Sequence, residues 1–193
     1  NSFVIEPATP DDVESIAALL APNVIKQSVL PRSPSDILEH IDNFRVARAG
    51  DRLAGCVALR DFGGGLFEVR SLVVADDYSG CGLGSSLVKN VLSLAIERGG
   101  VEVFTLTIRP RLFVRLGFEE VPMESFHRDD KYHEKIWSDC RLCPKIDCCD
   151  EVRFGYGLAD SYRYFVSLDI LDFRSSWITL KTWLFNEKIP IFG

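Results

Sequence analysis

The chain has 193 residues, 47% of them hydrophobic and 26% charged, which suits one soluble domain with a full core and a short appendage. Its net charge of −6 speaks against non-specific nucleic-acid binding, so no nucleic-acid partner is expected. It holds no run of about 18 apolar residues that would span a membrane.

In chain order, Phe3-Val4-Ile5 reads as a first edge strand. Thr9-Pro10-Asp11-Asp12 carries a helix start: Thr9 caps, Pro10 takes the first helical position and Asp12 is placed for a capping-box contact. Val13, Ile16, Ala17, Leu19 and Leu20 form the apolar face, and Pro22 is expected to close the helix early. Beyond a loop over 28–32, Ser33-Pro34-Ser35-Asp36 repeats the start signal, with Ile37, Leu38, Ile41 and Phe44 on one face. A meander of strands follows over 45–49, 53–59 and 66–75, separated by Gly50-Asp51 and Gly63-Gly64-Gly65. The glycine-rich Ser79-Gly80-Cys81-Gly82-Leu83-Gly84 then opens an amphipathic helix over 85–98, which Gly99-Gly100 ends. A strand over 101–107, a short helix over 110–116 and a strand over 118–121 complete a mixed α/β layer. From about Val152 the chain turns aromatic, with Tyr156, Tyr162, Tyr164, Phe165, Trp177 and Trp183, too apolar for ordinary disorder.

A strand, a glycine loop and a helix N-terminus together make a ready anion site, with inward amides and about half a positive charge. A pyrophosphate is the natural guest; a tight turn that merely starts a helix is the plainer alternative. A dinucleotide-binding unit would place its glycines after the first strand, whereas here they follow the fourth, and no Gly-Lys-Ser or Gly-Lys-Thr marks a Walker loop.

The pattern Val73-Val74-x3-Tyr78-x-Gly80-x-Gly82-Leu83-Gly84 resembles the acetyl-CoA loop of the GNAT superfamily, and Thr107-x5-Phe113-x3-Gly117-Phe118 looks like its second half. Within it, Leu30-Pro31-Arg32-Ser33, Glu68-Val69-Arg70-Ser71-Leu72, and Lys135-Ile136-Trp137-x-Asp139-Cys140-x2-Cys143-Pro144-Lys145 with Cys149-Asp150-Glu151 resemble the short bacterial-type N-acetylglutamate synthases. The resemblance implies a mixed α/β (α+β) fold. A mostly antiparallel six- to seven-stranded sheet would splay at strands 4 and 5, flanked by about four helices. It covers residues 1–151, leaving 152–193 as an aromatic extension that completes or docks on the domain.

The implied activity is direct transfer of acetyl from acetyl-CoA to the α-amine of a small amino acid, glutamate first and glutamine next, as in arginine biosynthesis. Leu72, Val73, Val74, Ser79, Gly80, Cys81, Gly82, Leu83, Gly84 and Ser85 would hold the co-substrate, with the Leu72 N–H at the oxyanion. The family usually carries basic or amide residues where Ser79 and Cys81 stand; their absence removes two charge-assisted contacts. A weakened acyl-CoA-binding regulatory module is therefore the reading from another class. Many members also carry a tyrosine acid where this chain has Phe113.

Glu68 is the candidate general base, because a free α-amine is mostly protonated at neutral pH and burial makes a carboxylate more basic. An acidic acceptor calls for cations, and Arg32, Arg70 and Arg109 are the candidates, with Lys135 carried over by resemblance alone. Glu68 and Arg70 share a strand face, as a base beside a substrate anchor or as a plain ion pair.

Four of six cysteines crowd into 140–149. Cys140, Cys143 and Cys149 admit zinc, free thiols or a disulfide. The opening residues show no basic stretch followed by an apolar one, so no secretory leader is read and a cytoplasmic, reducing compartment is expected. A tail that forms a homodimer interface leaves catalysis intact, whereas one that covers the cleft favours regulation.

Overall fold

The computed structural model describes residues 3–121, 141 and 152–158. The chain divides into two compact units, Asn1–Leu158 and Ala159–Gly193; the second lies outside the described residues. Within the first, strands β1 (Val4–Pro7), β2 (Phe44–Ala49), β3 (Arg52–Gly63), β4 (Leu66–Val74), β5 (Glu102–Thr107), β6 (Glu119–Glu120) and β7 (Val152–Gly157) build one seven-stranded sheet. Its order is β1-β2-β3-β4-β5-β7-β6. Every pairing is antiparallel except β4 with β5. The strand of the aromatic tail thus enters between β5 and β6.

Four α-helices flank the sheet among the described residues: α1 (Val13–Ile25), α2 (Pro34–Glu39), α3 (Leu83–Glu97) and α4 (Pro110–Arg115). The alternation of the strands sorts two cores. Val57, Leu59, Phe67 and Val69 meet Leu87, Val88, Val91 and Leu92 of α3. Phe44, Val46, Cys56 and Ala58 meet Ile16 and Leu20 of α1 and Ile37 of α2 on the other face. Gly55 lets α3 close on the sheet, since a Cβ there would lie 3.0 Å from both Leu87 Cδ1 and the Val73 carbonyl oxygen. No helix among the described residues is long and apolar enough to cross a membrane.

Both helix-start signals hold. Asp12 Oδ2 accepts the Thr9 backbone N–H at 2.8 Å, and Ser33 Oγ accepts the Asp36 N–H at 3.1 Å. Two local expectations do not. Pro22 lies inside α1, which continues to Ile25. The extra turn is closed by a Schellman pair, Ser28 N–H to Asn23 O and Gln27 N–H to Val24 O, both 2.9 Å, with Gln27 at φ +53°. The cap supplies donors to the Asn23 and Val24 carbonyls, which the end of the helix would otherwise leave without partners. The second helix stops at Glu39: Ile41 sits in a one-turn 3-10 segment and Phe44 begins β2. Phe44 is buried because β2 faces the same core that α2 faces, so its spacing imitates a helical stripe.

Candidate active site

β4 and β5 pair over only three positions, Leu66 with Glu102, Phe67 with Val103 and Glu68 with Phe104. At the next position the buried Thr105 hydroxyl donates to the Val69 carbonyl at 2.9 Å, and beyond it the strands part. β5 runs on to Thr107 paired with β7 instead, which leaves the edge of β4 open from Arg70 to Val74. A cleft of about 820 Å³ occupies this fork.

A second irregularity shapes the same edge. Cys56 pairs with Val73 but Ala58 with Arg70, so Val57 faces both Ser71 and Leu72 across a β-bulge. Ser71 adopts φ +52°, a left-handed conformation that costs a residue with a Cβ roughly 1–2 kcal/mol. The bulge resets the alternation: Leu72 and Val74 join the α3 side, whereas Arg70 and Val73 belong to the other face. Beneath it the Cys56 thiol, fully buried and pushed up to about 12 by that burial, stays protonated and donates to the Ser71 carbonyl at 3.6 Å.

Glu68 and Arg70 line the cleft together, with Arg70 Nη1 3.5 Å from Glu68 Oε2 and side-chain exposures of only 12% and 11%. An ion pair this enclosed feels little solvent screening. Arg60 of β3 stands directly opposite Glu68 in the antiparallel register, so it shares that sheet face, and its guanidinium lies 4.7 Å above the Phe62 ring. The far wall comes from Thr105 to Phe113, including Arg109 at the α4 N-cap. Phe113 is buried, edge-on to Phe118 at 5.2 Å, so it serves as wall rather than acid.

At the other end lie Leu72, Val73, Val74, Ser79, Gly80, Gly82, Leu83, Gly84 and Ser85. Gly80 at φ +77° and Gly82 at φ +86° turn the chain into α3, and the first three residues of that helix present their amides to the cleft end. Cys81 is exposed and outside the lining, its thiol on the Tyr78 carbonyl at 2.9 Å. Arg32 is outside it too, with Nη1 3.2 Å from Asp36 Oδ2. Lys135, Cys140, Cys143 and Cys149 lie outside the described residues. Among those described, no group of three His, Cys, Asp or Glu could hold a metal.

Sequence reasoning missed Asn23, Lys26 and Ser28, which reach the cleft because α1 outlasts Pro22. It also missed Arg60, visible only through the β3–β4 register, and Arg115 of α4. Among the described residues the lining holds six cations, Lys26, Arg60, Arg70, Arg109, Arg111 and Arg115, against the carboxylates of Glu68 and Asp76. In a chain of net charge −6 this is a strongly cationic cleft.

Residues 40–120 match the family model for the acetyltransferase (GNAT) domain. An uncharacterized N-acetyltransferase of Chlorobaculum tepidum is 38% identical over 124 residues, 64% of this chain and 76% of that protein. An amino-acid acetyltransferase of Ralstonia nicotianae is 32% identical over 63% of this chain, but only 28% of that longer protein is covered. The solved N-acetylglutamate synthase of Neisseria gonorrhoeae, complexed with coenzyme A and N-acetyl-glutamate, superposes with a TM-score of 0.70. It shares 22% identity and a common fold over 82% of this chain and 35% of its own.

Proposed function

The chain belongs to the GNAT family of acetyltransferases, and on that premise we propose that it is an amino-acid N-acetyltransferase. It takes acetyl from acetyl-CoA and passes it to the α-amine of L-glutamate, yielding N-acetyl-L-glutamate for arginine biosynthesis. The observation that carries the reading is the enclosed Glu68–Arg70 pair at the root of a fork whose other end is a glycine-rich helix N-terminus. The N-acetylglutamate synthase complex and the amino-acid acetyltransferase relative support the choice of acceptor. Residues 1–151 carry the catalytic elements, and the extension that begins at Val152 completes their sheet with β7.

The pyrophosphate sits on the amides of Gly82 to Ser85, and the pantetheine adds to the open edge of β4 from Leu72 to Val74 as a strand would. Arg70 and Arg109 take the acceptor's carboxylates, and Lys135 is carried over by the family resemblance as a further contact. Glu68 accepts the proton that leaves the ammonium, directly or through one water, and the free amine attacks the thioester carbonyl. The C–N bond forms as the carbonyl π-pair moves to oxygen, where the Leu72 N–H, beside the bulge, receives the oxyanion. Collapse of that intermediate breaks the C–S bond. The attacking nitrogen gives up its second proton to solvent as the amide forms, and the thiolate, a good leaving group, takes one from solvent. The residues fit this substrate because the cleft's excess of cations matches a phosphate-bearing donor and a dicarboxylate acceptor together.

The experiment is thiol release from acetyl-CoA by the chain with a panel of amino acids. Release with glutamate well above that with glutamine or other amines supports the reading. Release with glutamine alone moves the acceptor to the uncharged side chain. Acetyl-CoA binding without turnover on any amine replaces the enzyme with a regulatory module, which the loss of charge at Ser79 and Cys81 would favour.

A further inference from the structure

The glycine loop supplies amides but no cationic side chain, since residues 79–85 read Ser-Gly-Cys-Gly-Leu-Gly-Ser. Amides and a helix dipole can seat the diphosphate, but they offset only about half a positive charge, and the donor also carries a separate phosphate monoester. The charge must be met elsewhere in the cleft or left to solvent.

Helix α4 lies against this loop. A Cβ on Gly84, in the first turn of α3, would stand 3.7 Å from Leu112 Cδ2, in ordinary contact. On either side of Leu112 in sequence come Arg111 and Arg115, four residues apart and therefore neighbours on one helix face. Both line the cleft and both are exposed. Among the described residues neither guanidinium is committed to a carboxylate. Two like charges at this spacing repel in the free helix, and an anion between them relieves the repulsion. Phe113 on the same helix is buried and holds its orientation.

Building on the acetyl-transfer reading above, we propose that Arg111 and Arg115 form a clamp for the donor's phosphates, supplying the charge that the glycine loop lacks. The geometry suits guanidinium groups, which meet phosphate oxygens through paired N–H donors.

The test compares the wild-type chain with the Arg111→Ala/Arg115→Ala double variant, by calorimetric titration of acetyl-CoA and by turnover of acetyl-pantetheine, a thioester without phosphates. The expected result is an acetyl-CoA Kd raised about tenfold and less dependent on salt. The kcat/KM for acetyl-pantetheine stays the same. The Arg111→Lys/Arg115→Lys variant recovers part of the lost acetyl-CoA affinity, because it keeps the charge and gives up only the paired N–H donors. An unchanged acetyl-CoA Kd in the alanine variant overturns the clamp and leaves the transferase reading standing. A parallel fall in acetyl-pantetheine turnover overturns it equally, since the damage would then lie in the cleft and not in phosphate contacts. A wild-type chain that binds no acetyl-CoA removes the transferase reading and the clamp with it.

Discussion

Glu68 is held by three things: a β4–β5 rung at its own position, the Arg70 guanidinium 3.5 Å away, and the Arg60 backbone opposite it in register. A glutamine there keeps shape and much of the hydrogen bonding but cannot take a proton. Glu68→Gln should therefore lower kcat by about 10²–10⁴ while leaving the acetyl-CoA Kd unchanged. A kcat within threefold of wild type would remove Glu68 from the chemistry and leave it as Arg70's partner. The pairing was legible in the sequence, because two residues apart on a strand means one face. Arg60 was not, because nothing along β3 alone says which residue of β4 it will oppose.

Among elements, the bulge in β4 decides where the open edge points. Ser71 holds a left-handed conformation that β-branched residues resist more than serine does. Ser71→Val should destabilise the chain by about 1–2 kcal/mol, and it should lower kcat by straightening the strand and moving the Leu72 amide. Equal denaturant midpoints for the two proteins would mean that the bulge tolerates the side chain. Period-2 alternation weakens at the end of this strand, which is the sequence trace of the bulge, but the trace does not say which residue is inserted. The end of α1 shows the opposite failure. Proline punctuates so strongly that the helix was expected to stop at Pro22, yet the Schellman pair at Gln27 and Ser28 closes it one turn later. Gln27 occupies the position where glycine is commonest. Gln27→Gly should accordingly stabilise the chain by up to about 1 kcal/mol, read as a rise in thermal midpoint. A fall would show that the glutamine side chain contributes more than its backbone costs.

At the scale of the molecule, the cationic cleft is balanced by carboxylates committed elsewhere to architecture. Arg48 of β2 bonds both Glu6 of β1 and Asp12 at the start of α1, which ties the sheet edge to the first helix on the cleft-bearing face. Asp12 is 4% exposed. Burial by itself would raise its carboxyl pKa. The Thr9 backbone N–H, the Arg48 guanidinium and the Thr9 hydroxyl outweigh that and hold the folded-state pKa below its ordinary 3.8. A depressed folded pKa means the unfolded chain binds the proton more readily. The contribution to stability is therefore complete above the ordinary carboxylate range and is lost as pH falls through the folded value. Asp12→Asn removes the charge at every pH. It should lower stability by about 2 kcal/mol at pH 7, where wild type has the full contribution, and by progressively less as pH falls through the folded value, where wild type loses it too. Urea unfolding of both proteins at neutral and acid pH measures the two differences. A gap that stays constant across that range would mean the carboxylate's charge plays no part and only the shape of the side chain matters.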